Sequence, residues 1–139
     1  MSAAGELDRH RYISLSTFRR NGAEVSTPVW FAALGAKLYV FTTGDSGKVK
    51  RLRHTPRARV APSDARGRLQ AAWRPATARL VTEPGVIEQA HAALRAKYGW
   101  QVWVADLFSR LTRRIRRRAW IEIEVGREGD DRQAGVLPR

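Results

Sequence analysis

The chain contains no cysteine and only three histidines among its 139 residues. The absence of cysteine excludes disulfide bonds, thiolate metal sites and a thiol nucleophile. No apolar run approaches the ~20 residues that a membrane-spanning helix needs, and the N-terminal segment MSAAGELDRHR lacks the apolar centre of a signal peptide. From these absences we expect a soluble, cytoplasmic protein, and the length fits one domain with its own core.

Acidic residues are also scarce, because 13 Asp and Glu face 26 Lys and Arg and leave a net charge of +13. Such an excess predicts an anionic partner. Nucleic acid, an anionic membrane surface and a small ligand with several phosphates or carboxylates all satisfy that prediction. The composition does not choose among them.

The stretch LYVFTTGDSGKVKRLRHTP, residues 38–56, predicts a buried strand, a tight polar turn and a short basic helix at residues 48–54. Pro56 ends this helix, since the residue before a proline is displaced from the helical region. A turn that opens a helix gathers unpaired backbone N–H groups and the positive end of the helix dipole. The stretch therefore resembles an anion site.

Side chains in the same stretch favour phosphate as the anion. Lys48 and Arg51 are three residues apart, so they share one helical face beside the Ser46 hydroxyl. A second interpretation is open, in which Asp45 or Ser46 caps an ordinary surface helix whose Val49 and Leu52 face the core. Local chemistry alone gives these two interpretations equal weight.

Six segments are predicted strands: residues 12–19, 24–34, 38–43, 57–63, 69–81 and 120–125. Asn21-Gly22 suits a two-residue hairpin turn, and Pro28 and Pro75 predict edges or bulges. A helix follows the fifth strand, from a cap at Thr82 to Gly99. Six strands with few helices predict a mainly β (α+β) antiparallel barrel, closed or half-closed, over residues 1–125, followed by a flexible tail at 126–139.

The segment at 102–118 has two properties that point in different directions. An apolar stripe comprises Val104, Leu107, Phe108 and Leu111, and a cluster of arginines follows it at Arg110, Arg113, Arg114, Arg116, Arg117 and Arg118. The combination is typical of a helix on a membrane surface or beside nucleic acid. Docking of the stripe on the barrel is the simpler explanation, and we favour it.

Several motifs in their order along the chain resemble one family: TFRRNG, STPVWFA, LYVFTTGDSGKVKRLR, RARVAPSDARGR and a helix ending in KYGWQ. They resemble the split-barrel family that contains pyridoxamine-phosphate oxidase and the deazaflavin (coenzyme F420)-dependent reductases, in particular its branch of probable F420-dependent enzymes. The resemblance covers residues 12–101 and fits residues 121–125 as the closing strand. It implies a six-stranded split β-barrel, usually a homodimer with a cofactor in each groove between subunits.

The resemblance also implies which residues hold the cofactor. The strand, turn and helix that bind the phosphate of a flavin or deazaflavin in the family match Thr42, Thr43, Ser46, Gly47, Lys48 and Arg51 here. The segment that runs beneath the ring matches Thr27, Pro28, Val29 and Trp30. Such a cofactor carries the hydride itself, so no protein nucleophile and no metal is required. No catalytic residue is assigned, and a proton could come from water or from a tyrosine such as Tyr98.

The identity of the ring depends on the basic residues around the phosphate. Flavin mononucleotide (FMN) presents one phosphate, whereas F420 presents a phosphodiester followed by a tail of several carboxylates. An extended basic surface would match that tail, and Arg19, Arg20, Lys50, Arg53 and Arg57 are available near Lys48 in the sequence. We therefore expect an F420-dependent oxidoreductase that reduces an unsaturated or aromatic small molecule. FMN is the alternative cofactor, and a nucleic-acid-binding protein is the alternative function.

Overall fold

The computed structural model describes residues 3–44, 46–112 and 118–126. These residues form seven strands: β1 (Tyr12–Phe18), β2 (Glu24–Val29), β3 (Ala32–Leu34), β4 (Lys37–Thr43), β5 (Arg57–Ser63), β6 (Arg74–Val81) and β7 (Arg118–Val125). They also form four helices: α1 (Ala3–Leu7), α2 (Gly47–His54), α3 (Pro84–Tyr98) and α4 (Trp100–Leu111).

All strands belong to one antiparallel sheet in the order β2-β1-β5-β6-β7-β4-β3. Its two edge strands, β2 and β3, are neighbours in the chain and are joined only by Trp30 and Phe31. This short connection holds the two edges of the sheet close together, so the sheet curls into a split barrel. The predicted fold class is confirmed, with seven strands in place of six.

The seventh strand arises because the predicted strand at 24–34 is two strands. Residues 24–29 pair with β1, whereas residues 32–34 pair with β4 on the other side of the barrel. Pro28 lies on the edge strand, as predicted, where its missing N–H costs no ladder hydrogen bond. The predicted strand at 69–81 begins only at Arg74, preceded by an isolated bridge between Ser63 and Leu69.

The core has two parts, one on each side of the sheet. Inside the barrel, Ile13, Leu15, Leu38 and Ile121 are fully buried, and Leu52 of α2 packs against the same cluster. Outside the barrel, α3 and α4 cover a second cluster. The barrel is thus closed by a helix at the position where the anion site was predicted.

The expected docking of the apolar stripe on the barrel is wrong. Val104, Leu107, Phe108 and Leu111 are all exposed, and the buried residues of α4 are Val102 and Asp106. The arginines at 113, 114, 116 and 117 and the predicted tail beyond residue 126 lie outside the described residues. None of the helices in the described part of the chain is both long and apolar enough to cross a membrane.

Candidate functional site

The ladder between β3 and β4 stops before the end of β4. It pairs Leu34 with Lys37 and Ala32 with Tyr39, and then β2 turns away to pair with β1. If this register continued, Val29 would face Thr42 and Pro28 would face Thr43. The two segments predicted to contact a cofactor, residues 27–30 and 42–48, therefore flank one gap in the sheet. We call this gap the split.

The polar turn and helix follow β4 directly. Ser46 has an extended backbone and caps α2, since its Oγ accepts a hydrogen bond from the Val49 amide at 3.4 Å. The Ser46 amide donates to the Thr43 carbonyl at 3.0 Å, which fixes the turn against the end of the strand. Val49 and Leu52 are buried, so the cations of α2 lie on its outer side. Asp45 lies outside the described residues.

The guanidinium group of Arg51 is positioned by two contacts. Its Nε donates to the Thr17 Oγ1 of β1 at 2.5 Å. Its Nη1 comes so close to Gly47 that a Cβ at that position would lie 2.6 Å away. A side chain at residue 47 would thus displace the guanidinium, which explains why a residue without a Cβ suits the first turn of α2.

Lys48 is half-buried and makes no salt bridge to any carboxylate in the described part of the chain. Burial and the neighbouring Arg51 charge lower the pKa of the Lys48 ammonium. Burial and the charge of Arg19 likewise lower the pKa of Arg51. Positive charge is therefore concentrated at the start of α2 at a cost to the folded state, a pattern that is common in ligand sites.

A cavity of about 330 Å³ opens beside Arg51, and we call it the basic cavity. It is lined by Phe18, Arg19, Arg20, Lys50, Arg51, Arg53 and His54. Four of the five basic residues that the sequence placed near Lys48 line it, and the fifth, Arg57, stacks over the Phe18 ring at 4.1 Å. Among the described residues, no carboxylate forms a salt bridge with any of these cations.

The opposite side of the split is held by Tyr98 of α3. The Trp30 ring stacks on the Tyr98 ring, with centroids 5.0 Å apart. The Tyr98 hydroxyl accepts a hydrogen bond from the Phe31 amide at 3.0 Å and lies 2.8 Å from the Arg11 carbonyl, to which it donates. Burial raises the pKa of Tyr98 to about 12, which makes it a poor proton donor at neutral pH. Its contacts assign Tyr98 a positioning role instead.

Thr27, also on this side, carries a side-chain oxygen that is buried and has no hydrogen-bond partner within the described residues. Buried hydroxyls are nearly always hydrogen-bonded, and the exceptions concentrate at functional sites. The orphaned oxygen thus agrees with the predicted role of this segment in binding a ligand.

Sequence reasoning did not find Thr17, nor the contact that Arg19 makes with the charge of Arg51. Thr17 holds Arg51 although 34 residues separate them, and Arg19 raises the local positive charge from the end of β1. Arg19 was predicted only as part of a basic surface. No local pattern in the sequence could have revealed either contact, because both depend on the pairing of α2 with β1.

Comparison with protein families matches residues 3–129 of this chain to the pyridoxamine 5′-phosphate oxidase family. The match extends through α4 and β7, well beyond the residues 12–101 that carried the resemblance in the motifs. No curated protein is similar enough to count as a match.

Among solved structures, the fold is similar to a conserved hypothetical protein from Mycobacterium tuberculosis, with a TM-score of 0.66, 20% identity and coverage of 91% of this chain and 82% of that one. It is also similar to HutZ, the heme storage protein from Vibrio cholerae, with a TM-score of 0.67, 14% identity and coverage of 89% and 88%. A FAD-binding protein from Mesorhizobium loti has a TM-score of 0.58, 17% identity and coverage of 91% of both chains.

At these identities the structural neighbours establish the fold alone. The family match, in contrast, spans nearly the whole chain and agrees with the split barrel in its topology. The chain belongs to the pyridoxamine 5′-phosphate oxidase family, whose split barrels typically bind flavin.

Proposed function

We propose that this protein is an oxidoreductase that binds coenzyme F420 at the split and uses it to reduce an unsaturated or aromatic small molecule. The observation that carries the proposal is the group of cations around α2 that has no carboxylate partner among the described residues. Lys48 and Arg51 are half-buried, and cations in that position without a counter-charge among the described residues call for an anionic ligand.

The residues around the split fit the phosphate and the ring of such a cofactor. Lys48, Arg51 and the capped start of α2 supply two charges and a helix N-terminus for a phosphate. On the other side, the Thr27 hydroxyl and the backbone of residues 28–30 offer polar groups for the edge of a ring. Thr42 and Thr43 lie at the end of β4, directly before the turn that opens α2.

The basic cavity favours F420 over FMN. The phosphate of FMN can be satisfied by Lys48 and Arg51 alone. Arg19, Arg20, Lys50 and Arg53 would then remain without an anion, although they surround a cavity of about 330 Å³. A tail of carboxylates that continues from the phosphodiester would place negative charge among them.

When bound, a deazaflavin supplies the hydride. The contribution of the chain is to bind and orient the cofactor and to exclude water from its ring. Trp30 stacked on Tyr98 gives the split a rigid aromatic wall. We also propose that the active form is a homodimer, in which the partner subunit covers each split.

Titration of the purified protein with F420 and with FMN, followed by ring fluorescence, tests this proposal. Lys48→Ala should weaken the binding of either cofactor by roughly tenfold to a hundredfold, because it removes a charge-assisted contact to the phosphate. Arg53→Ala, on the wall of the basic cavity, should weaken the binding of F420 about fivefold and leave FMN unchanged. Arg66→Ala removes an exposed charge from the turn after β5 and serves as the control.

Each cofactor outcome has a distinct meaning. Tight binding of FMN alone keeps the redox class and overturns the choice of F420. Equal weakening by Lys48→Ala and Arg66→Ala refutes the assigned phosphate site. If neither cofactor binds, and DNA or RNA binds with a steep dependence on salt, the protein is a nucleic-acid binder.

A further inference from the structure

A second cavity lies between α1 and the segment that leads into β6, and we call it the α1 cavity. Its volume of about 730 Å³ falls within the range of about 300 to 1,000 Å³ that is typical of small-molecule sites. Arg9 and His10 line it just before β1, whereas Phe18 at the end of β1 lines the basic cavity. Since a strand of seven residues spans about 20 Å, the two cavities lie at opposite ends of β1 and are separate sites.

The walls of the α1 cavity are formed by segments that the fold holds in place. Leu7 and Pro62 are buried and supply an apolar part of the lining. The Gln70 amide donates a hydrogen bond to the Pro62 carbonyl at 2.8 Å, which ties the chain just before Ala71 and Ala72 to β5. Both alanines line the cavity, and a side chain of one methyl group leaves its space open.

Trp73 supplies an aromatic wall whose position is fixed. The Arg59 guanidinium lies over its ring, 4.9 Å from the centroid. Arg59 is held in turn by Glu24, whose Oε1 lies 3.2 Å from the Arg59 Nη1. Arg59 and Glu24 are not part of the cavity lining, so they hold the ring from outside the cavity. A ring that the fold already holds can stack on a ligand at little cost in side-chain entropy.

Charge in the lining of the α1 cavity is positive. Glu6 is the one carboxylate in the described lining, and it pairs with Arg74 at 3.2 Å. Arg9 is exposed and forms no salt bridge with a carboxylate in the described part of the chain. The cavity therefore combines a fixed aromatic ring with one guanidinium that has no counter-charge there.

We propose that the α1 cavity binds a flat aromatic molecule that carries a carboxylate. The ligand ring stacks on Trp73, and its carboxylate pairs with Arg9, since a guanidinium matches a carboxylate with two parallel hydrogen bonds. A carboxylate brings a single negative charge, which Arg9 alone can match, whereas a phosphate brings nearly two. The site is separate from the basic cavity, so the proposal does not depend on which cofactor the split binds.

Three probes separate the contributions of charge and ring when each is titrated into the full chain by isothermal titration calorimetry. Indole-3-acetate has both features and should bind with a dissociation constant at or below about 1 mM, as expected for a ligand of its size. Indole-3-acetamide has the same shape without the charge and should bind about fivefold more weakly. Cyclohexylacetate keeps the charge without the aromatic ring and should also bind about fivefold more weakly.

Variants assign the binding to the α1 cavity. Arg9→Gln should weaken the binding of indole-3-acetate about fivefold and leave indole-3-acetamide unchanged. Arg66→Gln removes an exposed arginine outside the cavity and should have no effect. Trp73→Leu should remove the preference for indole-3-acetate over cyclohexylacetate, whereas Trp103→Leu, at an exposed tryptophan on α4, should keep it. Near-identical far-ultraviolet circular dichroism shows that the variants are folded.

Three results would overturn the proposal. The first is a lack of indole-3-acetate binding at concentrations up to about 10 mM. The second is equal binding of indole-3-acetate and indole-3-acetamide, which would mean that the cations of the cavity do not select an anion. The third is binding that Lys48→Ala weakens and Arg9→Gln leaves unchanged, because the probe would then occupy the proposed cofactor site. That site is tested separately with F420 and FMN, so the failure of one proposal leaves the other standing.

Discussion

The start of α2 and the inner side of α4 are both crowded with cations, but they differ in the source of the opposing charge. At α4, one buried carboxylate, Asp106, accepts hydrogen bonds from Arg118 and Arg95 and lies 2.8 Å from His91 Nε2. At α2, Lys48 and Arg51 repel one another and have no carboxylate partner among the described residues. A cluster that contains a carboxylate of its own is held together within the fold, whereas a cluster without one among the described residues can accept an external anion.

Removal of the Asp106 carboxylate, which is the counter-charge at α4, should have the largest effect on the free energy of unfolding. Asp106→Asn keeps the shape of the side chain but leaves the Arg118 guanidinium buried without its carboxylate. We expect a loss of about 3 to 5 kcal/mol in the free energy of unfolding, measured by urea denaturation at pH 7. Glu6→Gln, at a half-exposed pair with Arg74, should cost less than about 1 kcal/mol. A small loss at Asp106 would contradict its role as the anchor of α4.

The Asp106 network also predicts a dependence on pH. Burial opposes the charge of Asp106, but hydrogen bonds from Arg118 and His91 outweigh it and lower the pKa of the carboxyl. A lowered pKa in the folded state means that this stabilisation is present above the pKa of the unfolded state and is lost as pH falls through the folded-state value.

Glu122 is a second carboxylate that is paired with cations within the fold, so it extends the comparison between α4 and α2. Arg79 and Lys37 donate hydrogen bonds to it, as does the Tyr39 hydroxyl at 2.7 Å. The hydrogen bond from Arg79 is the main reason that the pKa of Glu122 falls from 4.5 to about 2. The unfolding free energy should therefore decline between pH 5 and pH 2, by about 2 kcal/mol from Glu122 after allowance for the exposure of Arg79.

Glu122→Gln should flatten that decline, because the variant has no proton to gain at this position. Glu124→Gln changes an exposed residue on the same strand and should alter stability by less than about 0.5 kcal/mol. Urea denaturation at a series of pH values compares the three proteins. If the unfolding free energy of Glu122→Gln declines with falling pH as steeply as that of the wild type, Glu122 does not contribute to the acid sensitivity of the fold.

Helices α2 and α4 also show how much of this structure could be predicted from the sequence. The hairpin at Asn21-Gly22, the basic helix after β4 and its serine cap depend on neighbours in the chain, and the local pattern was sufficient to predict them. The predicted two-residue turn is wrong in length, since Arg19 pairs with Ala23 and leaves three residues, 20–22, between them. The periodicity of α4 correctly identified an apolar stripe but not its direction. The direction is set by Asp106 and its partners 11 to 15 residues away, and no helical period encodes such contacts.

The split could not be predicted from the sequence for a similar reason. Residues 24–34 alternate as one continuous strand, and neither Trp30 nor Phe31 is a residue that usually interrupts a strand. The interruption appears only when the two halves pair with different partners, β1 and β4. The residues on both sides of the split could be chosen by their resemblance to a family, although the gap between them could not be derived from local pattern.

Tyr98 tests whether the aromatic side of the split is fixed by the fold. Tyr98→Phe keeps the ring that stacks on Trp30 but leaves the buried Phe31 amide without its acceptor. We expect a loss of about 1 to 2 kcal/mol in the free energy of unfolding. The rate of hydride transfer with bound cofactor should change little, since a hydroxyl with a pKa of about 12 is a poor acid. A rate that falls by orders of magnitude while stability is retained would instead make Tyr98 the proton donor.

Two lysines, Lys48 and Lys97, compare a cation without a carboxylate partner among the described residues with a cation that has one. We expect their replacement to give the smallest changes in the free energy of unfolding. Lys48 and Lys97 are both half-buried, and burial is the main cause that lowers the pKa of each. Lys97 has a partner, because its Nζ lies 2.9 Å from Asp8 and 3.5 Å from the centre of the Phe31 ring. Asp8 acts to raise the pKa of Lys97 and so offsets part of the cost of burying its charge, and Lys97→Met should therefore stabilise the fold less than Lys48→Met does.

Lys48→Met should raise the free energy of unfolding more than Lys97→Met does, because Lys48 has no carboxylate partner among the described residues. A lysine whose pKa is lowered on folding opposes the folded state while it is charged, so its removal should raise the unfolding free energy at pH 7 by a few tenths to about 1 kcal/mol. Phosphate, compared with chloride at equal ionic strength, should stabilise the wild type more than Lys48→Met, since only the wild type keeps the full anion site. If Lys48→Met instead destabilises the protein, Lys48 has a counter-charge within the chain, and the cations of α2 belong to the fold rather than to a ligand.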